Sequence, residues 1–206
     1  MTQLPDGRLL LAEYGSLWQS NRWQSLAYLY ESTDGGQCWQ SHDFLIRDGV
    51  NKHAHLIQYS SRLNAVFLTD GDNKKQAWIN QSLRQFGQTG VGSWLRQTRP
   101  GWPFGGYLCM TETETHTLFG SDYLGGTNFV FSTTNGSHSL LMRSTDGGAT
   151  WQQILDYDGT RHELKVVSST HGTICQLLLT VITKKGSGFS QMIYEITGTG
   201  DAGSVV

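Results

Sequence analysis

Apolar and polar residues alternate along this chain in short runs, and most runs close on Gly, Asp, Asn or Ser. A period of two bounded by turn residues predicts half-buried β-strands. Leu9 to Tyr14, Leu26 to Glu31 and Trp39 to Ile46 read as a first sheet. His53 to Tyr59, Ala65 to Thr69, Ala77 to Asn80 and Ser93 to Thr98 read as a second. Tyr107 to Thr113 and Thr117 to Gly120 begin a third, joined by either Phe129 to Phe131 or Leu140 to Arg143. Trp151 to Tyr157 follows, and Leu164 to Ser168, Ile174 to Ile182 and Gln191 to Ile196 close the chain. No long segment shows a 3.6-residue period with caps, so no helix is predicted. The first sheet is expected to lack its innermost strand, because the chain opens on the turn Pro5-Asp6-Gly7, and the last sheet its outermost.

Two segments repeat. Ser32-Thr33-Asp34-Gly35-Gly36-Gln37-Cys38-Trp39 matches Ser144-Thr145-Asp146-Gly147-Gly148-Ala149-Thr150-Trp151 at six of eight positions. Each lies between two strand-like runs. The residue types suit such a turn. Asp accepts hydrogen bonds from backbone amides of its own turn. Gly allows positive φ, and Trp opens the returning strand with a large apolar face. Fainter echoes start at Ser82, with Trp94 following, and at Ser132.

The repeated segment resembles the Asp-box, S-x-D-x-G-x-T-W, of sialidases and other BNR-repeat propellers, with Cys38 standing where the pattern has Thr. Further elements resemble bacterial and phage sialidase-like proteins: Gly7 to Gly15, Lys52 to Ile57, Leu68 to Asp72 and Phe119 to Asp122. The resemblance implies an all-β fold. The expected architecture is a β-propeller, or a partial propeller, of four-stranded antiparallel blades with Asp-box turns, spanning 1–206 as a single domain. The two boxes begin 112 residues apart. A blade takes about 40–50 residues, so two or three blade steps fit between them. A compact ring of about four or five blades, closed by its terminal strands, and a half-propeller that pairs with a second copy both remain open.

Propeller topology also sorts residues by face. The boxes join the third and fourth strands of a blade, away from the axial pocket. Ser32, Asp34, Gly36 and Trp39, and Ser144, Asp146, Gly148 and Trp151, are therefore expected to be structural. The pocket rim would receive Glu13, Asp70, Asp72, Asp122 and Tyr123 from the ends of second strands. It would receive His53 and His55 from the start of a first strand, sharing one face at i and i+2.

Paired carboxylates among Glu13, Asp70, Asp72 and Asp122 could serve as general acid and as base or nucleophile on a glycosidic bond. His53 and His55 with acidic neighbours could instead hold a divalent metal. A plainer reading is that Asp and Gly end strands because they make turns. Sialidases clamp a sugar carboxylate with three arginines, and this resemblance assigns Arg47, Arg99 and Arg161 to substrate binding. The family's F/Y-R-I-P element is absent; the nearest text is Leu45-Ile46-Arg47-Asp48. Trp18, Trp23, Trp94, Trp102, Phe104 and Tyr123 fall in or near loops, where rings can stack on sugars.

Composition narrows the function classes. The charged share is 16% with a formal net of −2, which argues against a nucleic-acid face built of clustered Lys and Arg. The three cysteines, Cys38, Cys109 and Cys175, form no C-x-x-C pair and leave an odd thiol, so neither a zinc knuckle nor a disulfide framework is expected. No signal peptide and no apolar run of membrane-spanning length is visible. A soluble protein in a cytoplasmic, reduced setting is the default expectation. No cofactor is expected beyond the metal alternative. The leading expectation is a glycan-interacting protein, and any enzyme activity would be that of a glycoside hydrolase. The alternatives are a non-catalytic scaffold that self-assembles through open blade edges and the metal site.

Overall fold

In a computed structural model, the described residues are 1–47, 53–70, 76–97, 107–112, 117–121, 138–144, 152–158, 162–169, 177–185 and 188–196; beyond residue 121 the backbone alone is described. They are mostly antiparallel β-sheet. The chain divides into two compact units, Met1–Tyr107 and Leu108–Val206.

The first unit holds two four-stranded sheets. In the first, β1 (Thr2–Gln3), β2 (Leu9–Ala12), β5 (Leu29–Ser32) and β6 (Gln40–His42) run in that order. A separate hairpin, β3 (Ser16–Gln19) with β4 (Arg22–Ser25), is inserted between β2 and β5. In the second sheet, β7 (Ala54–Ser60), β8 (Ala65–Asp70), β9 (Ala77–Asn80) and β10 (Leu95–Arg96) follow one another. All six residues of β8 are buried, as expected of an interior strand covered on both faces. The core of this unit joins Leu10 and Leu29 of the first sheet to Ile57, Val66, Leu68 and Trp78 of the second. Phe44, Phe86 and Trp94 enter it from the connections; Phe44 stacks on Trp94 at 5.6 Å and meets Trp78 edge-on at 6.4 Å.

The second unit continues the pattern. β11 (Tyr107–Glu112), β12 (Thr117–Ser121), β13 (His138–Ser144) and β14 (Gln152–Asp158) form a third four-stranded sheet. β15 (His162–Ser169), β16 (Leu177–Lys185) and β17 (Gly188–Ile196) form a three-stranded one. Of the two alternatives for the third strand of the third sheet, the one at Leu140 to Arg143 forms it, within β13; 129–131 lies outside the described residues.

Three expectations need correction. The first sheet does not lack a strand, since Thr2 and Gln3 pair with Leu10 and Leu9. Pro5-Asp6-Gly7 is a hairpin turn between β1 and β2, held by Leu4 N–H to Arg8 O at 2.8 Å and by Gly7 at φ +88°. A two-residue strand is too short to show a period. The run from Trp39 to Ile46 is not one strand. It ends at His42, and Phe44–Arg47 form a single helical turn, α1, that buries Phe44 and Leu45. Consecutive apolar residues carry no period that separates a strand from a buried turn. The hairpin of Ser16–Ser25 was not expected either. Its turn places Ser20 and Asn21 at φ +53° and +61°, the left-handed pair of a type I′ turn, but without the Gly that usually announces one.

Candidate functional site

The ladder registers fix which residues share an end of the first unit. In the first sheet Leu9 faces Ser32 and Ala12 faces Leu29, so the box that follows Ser32 and the Glu13 that follows Ala12 lie at opposite ends. In the second sheet Thr69 faces Ala77 and Val66 faces Asn80. Asp70 is thus remote from the loop after Asn80. The two sheets are in step, because Ala54 N–H donates to Glu13 O at 3.0 Å and Tyr59 N–H donates to Thr2 Oγ1 at 2.9 Å. Glu13, His53 and Asp70 therefore stand at one end, and both loops between third and fourth strands at the other.

At the far end the first box is closed on itself. Ser32 Oγ accepts from Gly36 N–H and donates to Asp34 Oδ1, both at 2.8 Å. Asp34 Oδ1 also accepts Cys38 N–H at 2.9 Å, and Trp39 Nε1 donates to Gly36 O at 3.0 Å. Gly35 and Gly36 take φ +73° and +92°, where a Cβ would be strained. The Cys38 amide and then the Ser32 hydroxyl hold the Asp34 carboxyl below its ordinary range. The main bond from position 38 comes from its backbone and the Cys38 thiol adds a second to Asp34, so Cys in place of Thr leaves the turn intact. The Ser32, Asp34 and Trp39 side chains all bond within the turn. The echo after Asn80 occupies the same position in the second sheet in a longer form: Asn80 Nδ2 donates to Arg84 O, and Trp94 Nε1 donates to Phe86 O at 3.0 Å. Trp94 is fully buried, so it is a core residue and not a sugar-stacking surface. The second box falls between β13 and β14; Ser144 ends β13, and Asp146, Gly148 and Trp151 lie outside the described residues.

At the opposite end several predicted residues meet. Glu13 Oε2 accepts a hydrogen bond from Tyr30 O–H at 2.8 Å. Burial, and secondly the Glu13 carboxylate, push the Tyr30 phenol up to about 12. The next residue, Tyr14, is 68% exposed and lays its ring 4.2 Å from His53 and 5.6 Å from His55. His53 and His55 approach each other through their Nε2 atoms at 3.0 Å, an N–H···N contact in which one ring donates and the other accepts. A β-bulge brings this about. Ala54 faces Asp70 and Leu56 faces Thr69, so His55 is the extra residue of β7. Bulges re-aim side chains in this way. Asp70 is buried, and its Oδ1 accepts Gln76 N–H while its own N–H donates to Gln76 O. It ties together the ends of the 71–75 connection. The hairpin β3–β4 springs from the same end, two residues after Tyr14, and carries Trp18 and Trp23 edge to face at 5.3 Å, each 54% exposed.

Arg47 is placed elsewhere. Its guanidinium bonds Asp43 Oδ1 at 2.8 Å and Gly87 O at 2.7 Å, beside a cleft of about 300 Å³ lined by Phe44, Gln88 and Thr89. Asp72, Arg99, Asp122, Tyr123 and Arg161 lie outside the described residues, as do Trp102 and Phe104. The sequence reading missed Tyr30. Its partner is set by a cross-strand register and a side-chain reach, neither of which is visible in one-dimensional spacing. Among the described residues no group of three or more His, Cys, Asp and Glu is arranged to hold a metal ion, and no helix is long and apolar enough to cross a membrane.

Comparison with protein-family models and with curated proteins gave no match for this sequence.

Proposed function

We propose that this chain is a glycan-interacting protein built as an Asp-box β-propeller or part of one, with its ligand end formed by Glu13, Tyr14, Tyr30, His53 and His55. The propeller reading is supported by repetition. Three successive four-stranded antiparallel sheets follow the chain order, and a box or box-like loop joins the third and fourth strand of each. The observation that carries the functional reading is that the Tyr30–Glu13 pair and the Tyr14–His53–His55 stack lie at the same end of the strands, away from the first box. That end offers what a sugar needs. Glu13 accepts hydrogen bonds from hydroxyls, the imidazoles donate or accept, and exposed Tyr14, Trp18 and Trp23 present rings to the apolar faces of pyranoses. The Tyr30–Glu13 pair also has the residue types of a tyrosine nucleophile with a carboxylate base, the arrangement used by sialidases. With the phenol held neutral by burial, attack from Tyr30 would require Glu13 to take its proton.

A glycan array on the full chain, run beside a fluorogenic sialoside assay, tests this reading. Binding is expected. It should fall at least tenfold in Tyr14→Ala and Glu13→Gln and persist in Asp34→Ala, which should only lower the melting temperature. Turnover, if seen, should vanish in Tyr30→Phe. Silence of the folded protein in both assays, or a ligand lost with Asp34→Ala at unchanged stability, would sink the proposal.

A further inference from the structure

The geometry points to a site for a divalent transition metal at the His53–His55 pair, a two-nitrogen chelate completed by solvent, selective for Cu(II) over Zn(II) and indifferent to Mg(II) and Ca(II). The site stands on distances at the start of β7, between His55 and the His53 that precedes the strand, and does not depend on the glycan reading. Two imidazole nitrogens on a single metal, each about 2.0–2.1 Å from it, lie about 2.9 Å apart at a square-planar cis angle and about 3.4 Å apart at a tetrahedral one. The observed Nε2···Nε2 separation is 3.0 Å, at the square-planar end of that interval. The ring centroids are further apart, at 4.9 Å, so the two nitrogens lie on the facing sides of their rings.

Several features keep this arrangement in place without a metal. The bulge at His55 fixes the spacing through the backbone. His53 is only 6% exposed, and the Tyr14 ring packs over both imidazoles, which limits the rotamers open to them. Preorganisation of this kind lowers the entropy lost on chelation. His55 is half-buried, which leaves a route for the ion. The hydrogen bond now joining the rings uses one proton between two nitrogens. For a metal to take both Nε2 lone pairs, the donor ring passes its proton from Nε2 to its own Nδ1 through solvent, so that both imidazoles stay neutral and no net proton is lost. Two neutral imidazole nitrogens are borderline donors. Such a site favours Cu(II), follows the usual order of first-row affinities, and fails to compete with water for hard Mg(II) and Ca(II).

Calorimetric titration of the tag-free full chain, in a Cys38→Ser background that removes an exposed thiol, reads this directly. One equivalent of Cu(II) and one of Zn(II) are expected to bind, Cu(II) at least tenfold tighter, with no heat from Mg(II) or Ca(II). His55→Gln and His53→Gln should each weaken Cu(II) binding at least tenfold. Should His53→Gln fail to fold, His55→Gln decides alone, because its side chain is only half-buried. The electron paramagnetic resonance spectrum of the bound Cu(II) should show coupling to two imidazole nitrogens. Absence of saturable binding, binding that survives His55→Gln unchanged, or a spectrum with one imidazole or none overturns the site.

Discussion

Tyr30 shows how a single hydrogen bond changes the chemistry of a residue whose type alone says little. Its phenol sits between the first sheet and the Glu13 carboxylate, and both burial and that charge oppose a phenolate. Its folded value of about 12 stands above the ordinary 10.0. The stability it contributes is therefore fully present below pH 10 and is lost as the pH rises through about 12. Alkaline titration followed by phenolate absorbance should show one tyrosine ionising in that upper range. In Glu13→Gln the same transition should move part of the way back, because burial, the larger cause, remains. An unmoved transition would mean that Glu13 does not face Tyr30. Neither half of this pair could be matched from the sequence. Glu13 was placed at its strand end by pattern alone, whereas Tyr30 belongs to a neighbouring strand whose register only the folded sheet defines.

Among the elements, the loops between third and fourth strands set how the two sheets of the first unit meet. Gly87 lies in the longer of them, and a Cβ there would sit 2.7 Å from His42 Nδ1. His42 has little freedom to yield, since its Nε2 lies 3.3 Å from Glu31 Oε2, and Glu31 is itself bonded to Arg8 at 2.8 Å. Arg8 reaches on to Leu83 O at 2.6 Å, which ties this loop to the first sheet. Gly87→Ala should therefore cost about 1–3 kcal/mol by urea denaturation, the usual penalty of overpacking. The cost should largely disappear in a His42→Ala background, where the obstructing ring is gone. Equal costs in both backgrounds would show that the penalty arises in the backbone. The sequence carried the strand layout well, because alternation is a local property. It did not carry α1 or β3–β4. The apolar run at Phe44 continues a strand pattern in one dimension, and the Ser20-Asn21 turn lacks glycine.

On the scale of the molecule, one meander recurs. The first three sheets are each four antiparallel strands in chain order, and the fourth has three among the described residues. The first unit is held by a cluster that draws on both of its sheets and on their loops. Trp94 is central to it, fully buried, bonded through Nε1 to Phe86 O and stacked on Phe44. Trp94→Ala should cost about 3–5 kcal/mol, as large-to-small changes in a packed core do. Trp18→Ala, on the exposed face of the hairpin, should fall within about 0.5 kcal/mol of the parent. Chemical denaturation of the two variants checks the contrast, and similar losses would place Trp18 in the core as well.

The sequence by itself determined what depends on near neighbours: most strands, their turns, and the first box, whose Ser32, Asp34, Gly36 and Trp39 close on one another within eight residues. Those interactions are complete once the local chain is known. The tertiary structure decided what depends on register and on packing between sheets. It paired Glu13 with Tyr30, used a bulge to bring His53 and His55 tip to tip, and sent Arg47 to Asp43 and Gly87. It also turned the Trp94 that follows a loop into a core residue. A shift of one residue in a ladder moves every side chain to the other face, so such meetings are fixed only when the sheets have formed.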